Sequence, residues 1–273
     1  MKGLILIFIL LSSIFSAIAQ EKIWLNKNDQ WIADSTQAIR YALVTQTNQN
    51  SIKVEEYTLE GQKKDIWHFS DYNSNPRRRI REGIHTAFHA NGKDSLTEVY
   101  SNNKLEGQAI TYYPNSSIHS VMSYKNGRLN GKLLQYYPDG KLRREEDYSN
   151  DECTNGKLFD ENGTEIEHHP YLRFPSFPGG IQKIRELITN MITYPEKARK
   201  KKVEGRVLLQ FTIDTEGKMI NPQILQSVRH DIDSEAIRAF NSIAKRHRWL
   251  PGYQDGKAKR VRFVVPINFR IPK

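Results

Sequence analysis

Residues 203–217 read VEGRVLLQFTIDTEG. Apolar residues and one glycine fall on every second position, a period typical of a β-strand that buries one face. They are Val203, Gly205, Val207, Leu209, Phe211 and Ile213. Asp214-Thr215-Glu216-Gly217 follows with residues that favour a turn, and Lys218 to Val228 can pair back as a second strand. The segment therefore predicts an antiparallel β-hairpin.

Helical patterns lie on both sides of this hairpin. The first helix is indicated by apolar residues at helical spacing, which are Ile181, Ile184, Leu187, Ile188 and Met191. A second helix is predicted from Glu196 to Lys202, because Pro195 suits its first turn. A third helix is predicted from about Asp233 to Arg246. Turns at Trp249–Gly252 and Asp255-Gly256 lead to a last strand. Residues 174–273 are thus predicted to form an α+β domain with the order helix, helix, strand, strand, helix, strand.

The last strand is predicted to be a sheet edge. Pro266 lies inside it and has no N–H to donate to a neighbouring strand, so an edge position is favoured. An edge strand offers unpaired backbone groups to an incoming peptide. The odd-numbered residues are expected to face the core, which leaves Arg260, Arg262, Val264 and Arg270 to select partners. The candidate peptide-binding residues are Val261, Arg262, Phe263, Val264, Val265, Pro266, Ile267, Asn268 and Phe269.

The middle of the chain contains a repeat. Glu82-Gly83, Glu106-Gly107 and Asn130-Gly131 begin units 24 residues apart, and an aromatic residue follows each Gly at Phe88, Tyr112 and Tyr136. Short runs in which apolar and polar residues alternate, joined by Asn-Gly or Asp-Gly, indicate β-hairpins. Residues 20–168 are therefore predicted to form an all-β meander in which the aromatic residues stack as a ladder. Cys153 occupies the position of Leu105 and Leu129 and is predicted to be a small buried hydrophobe.

Composition limits the class of protein. The chain has 273 residues, of which 38% are hydrophobic, so it is not a polytopic membrane protein, and its one cysteine excludes an intrachain disulfide. The net charge of +10 favours acidic partners. The basic runs at residues 77–81 and 200–202 are interpreted as solvated surface.

The N-terminus has the features of an export signal. Met1-Lys2 precedes an apolar run from Gly3 to Phe15, and Ala17-Ile18-Ala19 fits a cleavage site before Gln20. Residues 1–19 are therefore predicted to be a signal peptide for Sec export to the periplasm or cell envelope, where chromosomal nucleic acid is not a partner. The alternative is an uncleaved segment that anchors the chain in the inner membrane.

Enzyme motifs are missing from the sequence. No Gly-x-Ser-x-Gly elbow, P-loop or dinucleotide-binding glycine pattern occurs. His85 and His89 are four residues apart but have no HExxH glutamate, and they are predicted to be surface or rim histidines. The chain is predicted to be non-enzymatic, with no catalytic residue, cofactor or metal.

Two segments resemble known families. Residues 174–273 resemble the TonB C-terminal domain, in the variant found in Bacteroidota envelope proteins, and the residues at about 57–166 resemble bacterial MORN-type repeats. The C-terminal resemblance rests on motifs that include Tyr194, Pro195, Glu204, Gly205, Gly217, Trp249, Pro251 and Gly252. It implies that the last strand captures the TonB box, a short segment of an outer-membrane transporter, and that the protein acts in TonB-dependent energy transduction.

Two features differ from that family. The N-terminal segment lacks the membrane-embedded His of the family anchor, and repeats replace the long Pro/Lys/Glu spacer. The alternative function is a periplasmic structural adaptor whose repeats bind cell wall or envelope proteins without energy transduction. Homodimerisation through the TonB-like domain is also left open.

Overall fold

The computed structural model describes residues 20–271, so the predicted signal peptide lies outside the described residues. The chain divides into two compact units. The first contains the described residues up to Asn150 together with Phe159–Thr164, and the second contains Asp151–Leu158 and the residues from Glu165 onward. Among the described residues, no helix combines the length and apolarity needed to cross a membrane.

Fifteen strands form one sheet in the N-terminal part. They are β1 (Gln20–Leu25), β2 (Trp31–Ile32), β3 (Arg40–Asn48), β4 (Ser51–Thr58), β5 (Lys63–Asp71), β6 (Ile80–Arg81), β7 (Gly83–Phe88), β8 (Asp94–Ser101), β9 (Lys104–Leu105), β10 (Gly107–Tyr112), β11 (Ile118–Lys125), β12 (Arg128–Tyr136), β13 (Leu142–Ser149), β14 (Glu152–Phe159) and β15 (Glu165–Ile166). The sheet order is β15-β14-β13-β12-β11-β10-β8-β7-β5-β4-β3-β1-β2, with β6 beside β5 and β9 beside β8. Short 3-10 turns occur at Ser35–Gln37 and Pro76–Arg78.

The repeat glycines hold a conformation that other residues resist. Gly83 and Gly131 begin equivalent units and have φ values of +104° and +109°. A Cβ atom at Gly131 would lie 3.0 Å from Cβ of Ser123 on the neighbouring strand. The recurrence of Gly therefore follows from both backbone conformation and close strand approach.

A second recurring position ties each repeat to the next. His89, Tyr113 and Tyr137 are spaced by 24 residues. The Tyr113 hydroxyl donates to the Tyr136 carbonyl at 2.8 Å, the Tyr137 hydroxyl donates to the Phe159 carbonyl at 2.9 Å, and Nε2 of His89 lies 2.8 Å from the Tyr112 carbonyl. The sequence pattern alone does not reveal this position, because the side chains donate to backbone carbonyls on other strands that only the fold brings near.

The predicted aromatic ladder is not formed by the aromatic residues that follow each repeat glycine. No ring contact joins Phe88, Tyr112 and Tyr136 within residues 20–271, and all three rings are half-buried. Equivalent residues are two strands apart, about 9–10 Å at the usual strand spacing, whereas aromatic contacts need ring centres within about 7 Å. Cys153 is also half-buried rather than buried.

His85 is a second correction, because it is 5% exposed rather than at the surface. Its ring stacks on Trp67 at 3.4 Å between centroids, and its nitrogens lie 2.9 Å from Asp65 and 2.9 Å from Glu98. Burial alone lowers the pKa of His85, but the hydrogen bonds and charges of the two carboxylates raise that pKa above its usual value. Both ring nitrogens face acceptors, so the arrangement suits an imidazolium.

A pH-dependent contribution to stability follows from His85. Because the folded-state pKa is raised, protonation stabilises the fold fully below the unfolded pKa of about 6.5, and this contribution is lost as the pH rises through the folded pKa. His85→Gln is therefore expected to lower the free energy of unfolding more at about pH 5.5 than at about pH 9. Urea unfolding followed by tryptophan fluorescence, to which Trp24, Trp31 and Trp67 contribute together with Trp249, measures this. An equal or larger loss at the higher pH would contradict it.

The second unit contains three helices and two further sheets. Its elements are β16 (Leu172–Arg173), α1 (Gly180–Met191), α2 (Glu196–Lys200), β17 (Gly205–Ile213), β18 (Met219–Gln226), α3 (His230–Ala244), β19 (Gly252–Gln254), β20 (Lys257–Lys259) and β21 (Val261–Phe269). One sheet has the order β18-β17-β21, and the other has the order β16-β19-β20. Ile184 and Ile188 of α1 and Phe240 of α3 join the buried face of β17 in one core.

The β19–β20 hairpin differs from the sequence expectation of two successive turns. Tyr253 pairs with Ala258 across the hairpin, and it also pairs with Arg173 of β16. These strands are only two or three residues long, too short to show a periodic pattern. Their pairing depends on β16, which lies far away in the sequence.

Candidate functional site

All nine residues predicted to bind a peptide lie on β21, and β21 is the edge of its sheet. It pairs antiparallel with β17 along its whole length, from Val261 opposite Ile213 to Phe269 opposite Gly205. β18 lies on the other side of β17. The long side of β21 away from β17 therefore has no strand partner among the described residues.

Side chains alternate along β21. Val265, Ile267 and Phe269 are buried in the core, whereas Arg262 and Asn268 are exposed. Val264 is 45% exposed. The alternation places Val264 between Arg262 and Pro266 on the outer face of the edge strand.

The position of Pro266 indicates which backbone groups face outward. In an antiparallel strand, the N–H and C=O of one residue point to the same side, and the side alternates along the chain. Pro is tolerated where its nitrogen faces the unpaired side. Pro266 pairs opposite Leu208 without disrupting the ladder, so its nitrogen faces away from β17. Residues an even number of positions from Pro266 have the same orientation. We therefore expect Arg262, Val264 and Asn268 to direct their N–H and C=O groups away from β17.

Tyr194 and Glu204 secure the C-terminal end of β21. The Tyr194 hydroxyl donates to the Val203 carbonyl, and its ring lies edge-on to Phe269 at 5.9 Å between centroids. Oε1 of Glu204 accepts the N–H of Ile271 at 2.6 Å. Pro195 immediately precedes α2 as its N-cap residue. Motif residues that are distant in sequence thus converge on the end of this strand.

Trp249 and Gly217 support the other half of β21. Trp249 is 4% exposed and packs on Phe263 at 4.7 Å and on Phe211 at 6.1 Å between ring centroids. The Trp249 N–H donates to the Gly217 carbonyl at 2.9 Å. A Cβ atom on Gly217 would lie 1.9 Å from the Trp249 carbonyl oxygen. Only Gly allows the turn after β17 to approach Trp249 this closely.

The remaining motif glycines also lie at close contacts. A Cβ atom on Gly205 would meet Val228 at 2.7 Å. A Cβ atom on Gly252 would meet Pro175 at 2.9 Å and Val261 at 3.1 Å. Pro251 is half-buried directly before β19. The motif residues are therefore packing and positioning residues around β21, and they do not lie on its open side.

The outer surface near β21 is cationic. Arg206, Arg260, Arg262 and Arg270 form no ion pair with an acidic residue within residues 20–271, and Arg206 donates instead to the Asn268 side chain at 3.1 Å. Exposed cations without acidic neighbours favour anionic partners. The arrangement can therefore pair with an extended backbone and attract acidic side chains.

Comparisons with known proteins identify the same two segments. Residues 190–271 match the family described as Gram-negative bacterial TonB protein C-terminal, and residues 97–126 and 129–150 match the MORN repeat variant. The Bacteroidota type stays a prediction.

Individual relatives match about a third of the chain. Protein TonB of Vibrio cholerae serotype O1 is 32% identical over 79 residues, which are 29% of this chain and 31% of that protein. Protein TonB of Campylobacter coli is 26% identical over 92 residues, which are 33% of this chain and 37% of that protein. The solution structure of the Helicobacter pylori TonB C-terminal domain has 22% identity and a TM-score of 0.29, and it covers 34% of this chain and 81% of that one. The chain spans about a third of the length of the curated relatives it matches.

Proposed function

We propose that this chain, which carries a TonB C-terminal domain and MORN repeats, binds an extended peptide of an envelope protein by adding it as a strand to β21. The observation that carries the proposal is the pairing of β21 with β17 on one side only, over all nine residues. Strand addition uses the backbone groups that such an edge leaves unpaired. The proposed ligand is a TonB-box-like segment of an outer-membrane transporter.

Preorganisation supports this proposal. The contacts of Tyr194 with Phe269, Glu204 with Ile271 and Trp249 with Phe263 hold β21 in an extended form before a peptide arrives. A strand that is already ordered loses less conformational entropy on binding than a flexible segment. The nearby arginines would then favour peptides with acidic side chains.

The proposed biological role is non-enzymatic and follows from the relatives. Both curated relatives are named Protein TonB, so we place this chain in TonB-dependent transport across the cell envelope. We also keep the proposed division into a signal peptide at 1–19, repeats at 20–168 and a C-terminal domain at 174–273. The pairing of β16 with β19 supports including Leu172–Arg173 in the proposed C-terminal domain.

The adaptor function remains the second candidate because MORN repeats occupy part of the chain. Mass spectrometry of the mature N-terminus separates the two roles. A chain that begins at Gln20 has no inner-membrane anchor and favours a periplasmic adaptor. A retained N-terminal segment favours an anchored energy transducer.

Replacing Val264 with proline tests strand addition. Val264→Pro removes an N–H that we expect to face the guest, and it should weaken binding of a synthetic TonB-box peptide by about tenfold, the effect of losing roughly 1–1.5 kcal/mol. Isothermal titration calorimetry on the full chain measures the affinity. Val264→Thr is the matched control, because it keeps the N–H and the β-branched shape.

The control should bind within about twofold of the unchanged chain. Circular dichroism and tryptophan fluorescence should show that both variants keep the fold. Equal peptide binding by Val264→Pro and Val264→Thr would rule out pairing at the open side of β21.

A further inference from the structure

The first unit contains a cavity that the proposed peptide site does not explain. Its volume is about 650 Å³, within the range of small-molecule sites. Glu56, Trp67 and Phe69 on the sheet form part of its lining, and the segment from Pro76 to Arg81 contributes further residues. This segment contains the basic run that the sequence analysis interpreted as solvated surface.

Alternate arginines of the basic run line the cavity. Arg77, Arg79 and Arg81 belong to the lining, whereas Arg78 does not. The Asn75 side chain accepts the N–H of Arg77 at 3.1 Å and caps the 3-10 turn that sets this alternation. Three of the four arginines therefore line the cavity. Arg78 carries the same charge outside the lining and provides a control.

The carboxylates around the cavity are already paired. Arg40 forms ion pairs with Asp29 and Glu56, and Asp65 contacts His85. Arg79 donates to the backbone carbonyls of Asn73 and Asp29, at 2.8 and 2.7 Å. The acidic residues of the lining therefore already have cationic partners.

The lining holds five cationic and three acidic side chains, a net charge of +2, and its cations include Arg77, Arg81 and Lys64. All three line the cavity, and none forms an ion pair with an acidic residue in the described part of the chain. Like charges that share a partly enclosed site repel one another unless an anion balances them. The lining has the charge of a receptor for an anion.

Arg81 is also held in place by aromatic rings. Its guanidinium lies 4.7 Å from the centre of the Trp67 ring and 5.3 Å from that of Tyr100. Trp67 in turn stacks on buried His85. Ring contacts fix the position of a guanidinium without neutralising its charge. Arg81 is therefore a preorganised cation at the cavity.

We propose that this cavity binds a small polyvalent oxyanion of the phosphate type. Arginine guanidinium groups match phosphate oxygens with paired, charge-assisted hydrogen bonds. Phosphate can reach the site as a soluble phosphorylated compound or as a lipid headgroup. The proposal is independent of β21, because every residue that it uses lies in the first unit.

Calorimetric titration of the full chain with inorganic pyrophosphate tests the site. Arg81→Gln and Arg77→Gln are each expected to weaken binding at least tenfold, whereas Arg78→Gln should change the affinity by less than about twofold. Arg77 is exposed, so its variant is informative even if Arg81→Gln disturbs the packing on Trp67. An equal loss in all three variants would show diffuse surface attraction and overturn the proposal.

Vesicles distinguish the two sources of phosphate. Binding to phosphatidylcholine vesicles that contain phosphatidic acid, with the same dependence on Arg77 and Arg81 but not Arg78, would identify a lipid headgroup. Pyrophosphate binding without such vesicle binding would identify a soluble ligand. If neither pyrophosphate nor the vesicles bind, the proposal is wrong.

Discussion

A Gly217→Ala variant is expected to lose at least about 3 kcal/mol of stability in the C-terminal unit. Gly217 has a φ of +78°, which costs an L-residue about 1–2 kcal/mol. The added Cβ would also lie 1.9 Å from the Trp249 carbonyl oxygen, so the backbone at Trp249 must move. Trp249 is buried against Phe211 and Phe263 and has no room to shift without disturbing the core.

Gly180→Ala provides a matched control. Gly180 has a φ of +79°, and no atom lies within 4 Å of a Cβ added there. It therefore shares the conformational cost of Gly217 but not the overlap, and a loss of about 1–2 kcal/mol is expected. The difference between the two variants isolates the contact with Trp249.

Hydrogen exchange with mass spectrometry measures this effect region by region. Amides of β17 and α3 are expected to lose about a hundredfold in protection in Gly217→Ala, which corresponds to about 3 kcal/mol. Peptide binding at β21 should fall with it, because Trp249 supports Phe263. A Gly217→Ala variant as stable as Gly180→Ala would show that the turn and Trp249 separate freely.

The sequence contains enough information to locate the edge strand. β21 occupies Val261–Phe269, the segment in which apolar residues alternate and in which Pro266 disfavours a central position. The motif residues could be recognised by resemblance, but their role could not be derived from the pattern. Contacts such as Gly217 with Trp249 join residues far apart in the chain, and only the folded structure brings them together.

Buried polar residues are harder to predict from the sequence than the edge strand. His85, Arg144 and Glu146 are typical surface residues by type, yet all three are buried. For two of them, the position in the strand indicates burial. Glu146 and Arg144 lie two and four residues before buried Tyr148 on β13, so all three side chains share one face of the sheet. Hydrophobic patterning assigns charged residues to the outside, so it fails where the charges compensate each other inside the sheet.

Glu146→Gln is expected to destabilise the first unit by about 3–5 kcal/mol. Glu146 and Arg144 are both 0% exposed and form an ion pair. The Tyr148 hydroxyl donates to Glu146 at 2.9 Å, and Arg144 also donates to the Gln135 side chain at 2.9 Å. Removing the carboxylate charge takes an acidic partner from the fully buried Arg144 guanidinium, which costs far more than the loss of an exposed pair.

Glu145→Gln is the control on the neighbouring residue. Glu145 pairs with Lys132 at 2.7 Å, but the two side chains are 40% and 54% exposed, so its loss should cost at most about 1 kcal/mol. Urea unfolding followed by tryptophan fluorescence compares the variants. A third variant, Arg144→Met with Glu146→Leu, removes both charges and should recover part of the stability lost in Glu146→Gln. If Glu146→Gln costs no more than Glu145→Gln, the buried pair does not stabilise the repeat sheet.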